Sequence, residues 1–177
     1  MIDHARLREV FNIVEPMIED RWGIPVTISD VPHPFTGDLD GERILVDYAV
    51  DIEDAVFIVV HLFGHTVQWN ISARAREIAH ARPGQWTPEA LQELADYERD
   101  ACRYSLQLLH EAGIRDLDQW ISDFAACDSA YLMHFYRTGE KAEFRSFWRD
   151  GAPLVTPLAI PEFQPTRWIS RYDGIVI

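Results

Sequence analysis

The stretch from Ile52 to Trp69 is apolar on nearly every side of a helix, and such a helix has to lie at the centre of a domain with the rest packed round it. Ala55 to Val60 alone would pass for a buried strand. The helical spacing that continues through His61, His65 and Gln68, and the length of the run, decide for a helix beginning near Asp51 or Ile52. Within it, His61-Leu62-Phe63-Gly64-His65 sets two histidines four residues apart. That step separates them by about 40° in projection and one turn along the axis, so both rings reach one metal ion. Gly64 predicts close approach by a neighbouring element or a substrate.

The remaining elements read as a layer around this helix. Leu7, Val10, Phe11, Val14, Ile18 and Trp22 recur at helical steps over 3–22, and Gly23 ends the run. Ile24 to Ser29 and Arg43 to Asp47 are strand candidates, separated by a loop over Val31 to Gly41 rich in proline and glycine. A short helix over Ala73 to His80 and the loop RPGQW lead to Thr87-Pro88-Glu89, the cap, first residue and acidic first turn of a long helix running to about Glu111. Gly113 is its expected C-terminal cap. A fourth long helix starts near Asp116 with Trp120, Phe124, Cys127, Tyr131, His134 and Phe135 on one stripe, and Glu140 to Trp148 is a candidate short helix. Four prolines between Gly151 and Pro165 predict an extended surface tail or edge strand, with DGIVI as the strand candidate. The expected class is α+β, mostly helical with a small sheet. We expect a single domain over 1–177, with a core at about 3–112, added helices at 113–150 and a C-terminal tail at 151–177.

A chain of 177 residues, 47% apolar with six tryptophans, fills a core of that size. Its 29 acidic against 16 basic residues give a formal charge of -13, which repels phosphate backbones and anionic membranes. No nucleic-acid or membrane partner is therefore expected. Two cysteines, Cys102 and Cys127, are too few for a disulfide framework and lack zinc-ribbon spacing. The charged start lacks an apolar segment, so no secretory signal is expected there, and no stretch approaches the roughly 20 apolar residues of a membrane span. A cytoplasmic location is the expectation.

A metal on His61 and His65 needs a third protein ligand. On the helix opened by Thr87, the apolar stripe runs Leu91, Leu94, Ala101, Cys102, Ser105, Leu108 and Leu109, and Glu98 falls in its middle. Glu93, Asp96 and Asp100 share the solvated side with Arg103 and Gln107. A carboxylate on a core stripe is costly unless paired or bound to a cation, so Glu98 is the candidate ligand, with an arginine-paired Glu98 as the alternative. Gln68 and Asp54 lie seven residues either side of His61, Gln68 as a group for substrate or water, or as the partner of a backbone N–H or C=O near the helix end, and Asp54 to orient a histidine ring, or as an acid of the first helical turn. His134 and Tyr104 are candidate acid/base groups, each with a core role as the alternative. Cys102 is a buried thiol or a fourth ligand. His4, His33, His80 and His110 read as surface residues.

The pair of histidines followed by Glu98-Arg99-Asp100-Ala101-Cys102-Arg103-Tyr104-Ser105-x-x-Leu108-Leu109 resembles the ImmA/IrrE-type metallopeptidases, whose pattern is H-E-x-x-H and then E-x-E-A-N-x-F-A-x-x-L-L. The resemblance covers about residues 3 to 112. It implies a zincin-like fold with His61, His65 and Glu98 as zinc ligands. Two departures bear on activity. The general-base glutamate of H-E-x-x-H is Leu62, which takes no proton, and the asparagine one turn after the ligand glutamate is Cys102. Loss of a general base removes about 10²- to 10⁴-fold of rate. The expectation is one divalent transition metal, zinc or iron, serving non-proteolytic chemistry on a small-molecule or peptide substrate. The forms open to it are an Fe(II) site of two histidines and a carboxylate, or zinc as a Lewis acid or with a substitute base. A catalytically inactive binding scaffold and a variant hydrolase are the alternatives.

Overall fold

The computed structural model describes residues 2–32, 35–80 and 86–168. The apolar helix is α2 (Ile52–Ile71), capped by the Asp51 carboxylate accepting from Asp54 N–H, and every residue from Ala55 to Trp69 except Ile58 is buried. Among the described residues, five helices and a small sheet stand in the order α1 (His4–Trp22), β1 (Val26–Ser29), β2 (Gly37–Leu39), β3 (Ile44–Asp47), α2, α3 (Ala73–Ala79), α4 (Pro88–Glu111) and α5 (Asp118–Thr138), then a 3-10 turn at Phe144–Phe147. The chain is α+β and mostly helical.

One hydrophobic core joins the elements. α1 contributes Leu7, Val10, Val14 and Ile18, and stops where Gly23 turns into the left-handed region at φ 68°. β1 runs parallel to β3 and β2 antiparallel to it, in the order β1-β3-β2. Ile44 and Val46 point from β3 into the core. α4 crosses α2 where Gly64 stands. A Cβ there would meet the Ala101 carbonyl oxygen, with the Ala101 carbon at 2.8 Å and its Cα at 2.9 Å. Of the two options for Gly64, the neighbour is another helix.

Three details differ from the sequence expectation. The 31–41 segment contains β2, and β1 is shorter than its candidate, beginning at Val26. β2 has no β-branched residue and owes its conformation to the hydrogen bonds that β3 offers. Over 140–148, where a short helix was expected, the chain forms a 3-10 turn at Phe144–Phe147. The tail from 151 is extended without forming a strand among the described residues, and its polar groups bond to the helices it crosses. Ala152 N–H donates to Asp123, Val155 N–H to Ser122 Oγ, Leu158 N–H to the Arg103 carbonyl, and Thr166 N–H to Asn70 Oδ1. The DGIVI segment, His33 and most of the RPGQW loop lie outside the described residues. No helix among the described residues is long and apolar enough to cross a membrane.

Candidate metal centre

α2 and α4 bring three side chains together. His65 Nε2 lies 2.9 Å from His61 Nε2 and 3.0 Å from Glu98 Oε2, and His61 Nε2 lies 3.2 Å from the same oxygen. These ligand atoms all fall within 4.8 Å of one another. Ligands at about 2.0–2.1 Å from a tetrahedral zinc stand roughly 3.3 Å apart, a few tenths of an ångström from what is seen. All three residues are buried.

The far side of each ring sets which nitrogen is free. Gln68 Nε2 donates to the Tyr97 carbonyl, which accepts only, so the amide must present Oε1 to His65 Nδ1 at 2.9 Å. Nδ1 therefore carries the hydrogen, and His65 Nε2 keeps its lone pair for a ligand role. Behind His61, the Cys102 sulfur lies 3.4 Å from Nδ1 and serves as its acceptor in the ligating tautomer. Phe57 stacks on the His61 ring at 5.1 Å between centroids and Tyr97 on the His65 ring at 4.5 Å, which fixes both planes.

Burial alone would push Glu98 up. When the two imidazoles are protonated, in place of the ligating tautomers, the charge of His65, hydrogen bonds from His61 and His65 and the charge of His61 outweigh it and hold the carboxyl well below the usual carboxylate range. Its partners are histidines, so the arginine-paired alternative does not apply. Burial, then the carboxylates of Asp128 and Glu98, pushes the Cys102 thiol well above its usual range. A neutral thiol on the Nδ1 side of His61 supports the ring and is not a fourth ligand.

A cavity of about 470 Å³ opens on His61 and Glu98. Phe35, Phe57, Phe124, Tyr131, Phe144, Ile58 and Leu132 make its walls largely apolar, and Leu62, the residue after His61, lines it with them. Lys141, the only lysine of the chain, lines it too. Asp54 also reaches the cavity, but its carboxylate accepts from Arg145 at 2.9 Å and does not orient a histidine. Burial, then Asp51, raises the Asp54 carboxyl against the pull of Arg145.

Two acid/base candidates stand away from the cavity lining. Tyr104 and His134 each follow a cavity residue, Glu98 and Asp128, by six positions, which rotates them about 120° round the helix axis. Tyr104 is buried in the core, and the His134 ring packs against Phe147 at 5.5 Å. Gln68 sits behind His65, so it orients that ring and is not among the residues that line the cavity. His80 and His110 are half-buried and not at the surface as expected. His80 Nδ1 bonds the Arg76 carbonyl and His110 Nε2 the Asp118 carboxylate.

Asp128 was not among the candidates. Its Oδ2 lies 3.9 Å from His61 Nε2, it lines the cavity, and its side chain is 17% exposed. The signal was present: Asp128 stands four residues after Phe124 and three before Tyr131, a carboxylate on an apolar stripe, which is the test that singled out Glu98. Comparison with family models, curated proteins and solved structures returns no match for this chain.

Proposed function

We propose that this chain is a metal-dependent enzyme on a zincin-like scaffold, whose metal serves chemistry other than ordinary peptide hydrolysis. His61, His65 and Glu98 hold one divalent transition metal, zinc or iron. The observation that carries the reading is the convergence of two imidazole Nε2 atoms and a carboxylate oxygen within 2.9–3.2 Å of one another. With Nδ1 of His65 committed to Gln68 and that of His61 facing Cys102, the converging atoms are acceptors, and a cation between them removes their repulsion. The order of helix, strands, first ligand helix and second ligand helix supports the zincin-like scaffold.

Two imidazoles and one carboxylate leave positions free for substrate, which suits zinc as a Lewis acid or Fe(II) in an oxygen-dependent reaction. A cavity of this volume takes a drug-sized molecule or one peptide side chain, and its aromatic walls favour an apolar substrate. Leu62 separates this site from a peptidase. It is 7% exposed, and its Cδ1 lies 2.8 Å from where a Cβ on Gly37 would stand, so it packs under β2 and has no proton to take.

The zinc-loaded wild type should leave an unstructured polypeptide such as casein intact. Leu62→Glu restores the acceptor on α2 and should give weak but metal-dependent cleavage, within the roughly 10²- to 10⁴-fold that a general base contributes. Efficient cleavage by the wild type, abolished in Glu98→Ala, would overturn the non-proteolytic reading.

A further inference from the structure

α5 lies outside the segment that resembles the peptidases, yet it supplies Phe124, Asp128, Tyr131 and Leu132 to the cavity wall. We propose that Asp128 faces the open coordination position of the metal and accepts a hydrogen bond from the water or substrate group bound there, a task Leu62 cannot perform from α2. The inference rests on the metal-centre reading above and adds a residue to it.

The distance from Asp128 Oδ2 to His61 Nε2, 3.9 Å, is too long for a hydrogen bond between the two groups. A group bound to the metal beside His61 would lie roughly 3.3 Å from that nitrogen. A carboxylate oxygen within about 2.5–3.0 Å of such a group falls in the range where Asp128 is found. Asp128 also stands outside the cluster of converging ligand atoms, which comprises His61, His65 and Glu98. It is therefore an outer acceptor and not a fourth ligand. Its side chain is mostly buried on the cavity wall that α5 forms with Phe124, Tyr131 and Leu132, and its Oδ2 faces the Nε2 of His61. The consequence is a site whose acceptor comes from the added helix α5, while α2 keeps only the ligands.

The test uses the full chain loaded with cobalt(II), with azide as the probe of the open position and visible absorption as the readout. Azide is an anion with no hydrogen to donate, so the Asp128 carboxylate disfavours it. Asp128→Asn and Asp128→Ala should bind cobalt within about threefold of the wild type and bind azide at least about tenfold more tightly. The alanine variant decides if the asparagine variant misfolds by circular dichroism. Azide affinity unchanged within about twofold in the folded variants overturns the proposal. So does a loss of cobalt affinity matching that of Glu98→Ala with an altered spectrum before azide is added, since Asp128 would then be a ligand. Failure of the wild type to bind cobalt is a separate result: it removes the metal-centre reading, and the role of Asp128 with it.

Discussion

Gln68 never reaches the cavity, yet it decides which nitrogen of His65 is available there. Its amide hydrogen is spent on the Tyr97 carbonyl, and its oxygen is left facing His65 Nδ1. Gln68→Ala leaves that N–H without an acceptor on a ring that is 2% exposed. Metal affinity is expected to fall about 10- to 100-fold, measured by competition with a chelator, while the far-ultraviolet circular dichroism stays unchanged. Unchanged affinity would mean that packing against Tyr97 alone orients the ring. At this scale, Glu98 was legible because a carboxylate on an apolar stripe needs a reason. A backbone carbonyl partner for Gln68 was one of two readings of the sequence, but its hold on His65 was not legible, because that carbonyl belongs to α4 and becomes its neighbour only in the folded chain. Tyr104 and His134 are not among the residues that line the cavity, and helix geometry says why. A six-residue step keeps a side chain near an apolar stripe while turning it about 120° from the residues that reach the cavity.

Among the elements, the crossing of α2 and α4 sets the site. Gly64 lets the two backbones touch at Ala101, and Glu98 stands one turn before Ala101 on the same helix. Gly64→Ala inserts a methyl group against a helix backbone that has no flexible side chain to move aside. It should destabilise the protein by about 1–3 kcal/mol. That corresponds to a fall in melting temperature of roughly 2–4 °C per kcal/mol. It should also weaken metal binding, because parting the helices moves Glu98 from His61 and His65. Thermal unfolding with and without zinc checks both parts: equal losses in the two conditions would mean that the crossing supports stability alone. Helices were the legible elements, since an apolar stripe marked the long ones and caps or stops marked several ends: Asp51 and Thr87 at the starts of α2 and α4, Gly23 at the end of α1. β2 was not, because three residues without β-branched content form a strand only beside β3.

For the molecule as a whole, burial makes the metal question thermodynamic as well as chemical. Glu98 is taken out of water beside two imidazoles, and a cation held by all three would be released on unfolding. The acidic balance of the chain and the extended tail were legible from charge and prolines. The path of the tail was not, because its bonds run to Asp123 and Ser122 on α5, Arg103 on α4 and Asn70 on α2, three helices that meet only in the folded chain. The most direct measurement is the metal content of protein purified without added metal, combined with thermal unfolding as zinc or iron(II) is titrated in. The expected result is about one equivalent of a transition metal. Stripped protein should regain about 2.7 kcal/mol of stability when free metal reaches a hundred times its dissociation constant. Glu98→Ala should lose both properties. Less than about a tenth of an equivalent in the wild type, together with no rise in melting temperature on adding either metal, would contradict the assignment of His61, His65 and Glu98 as a metal centre.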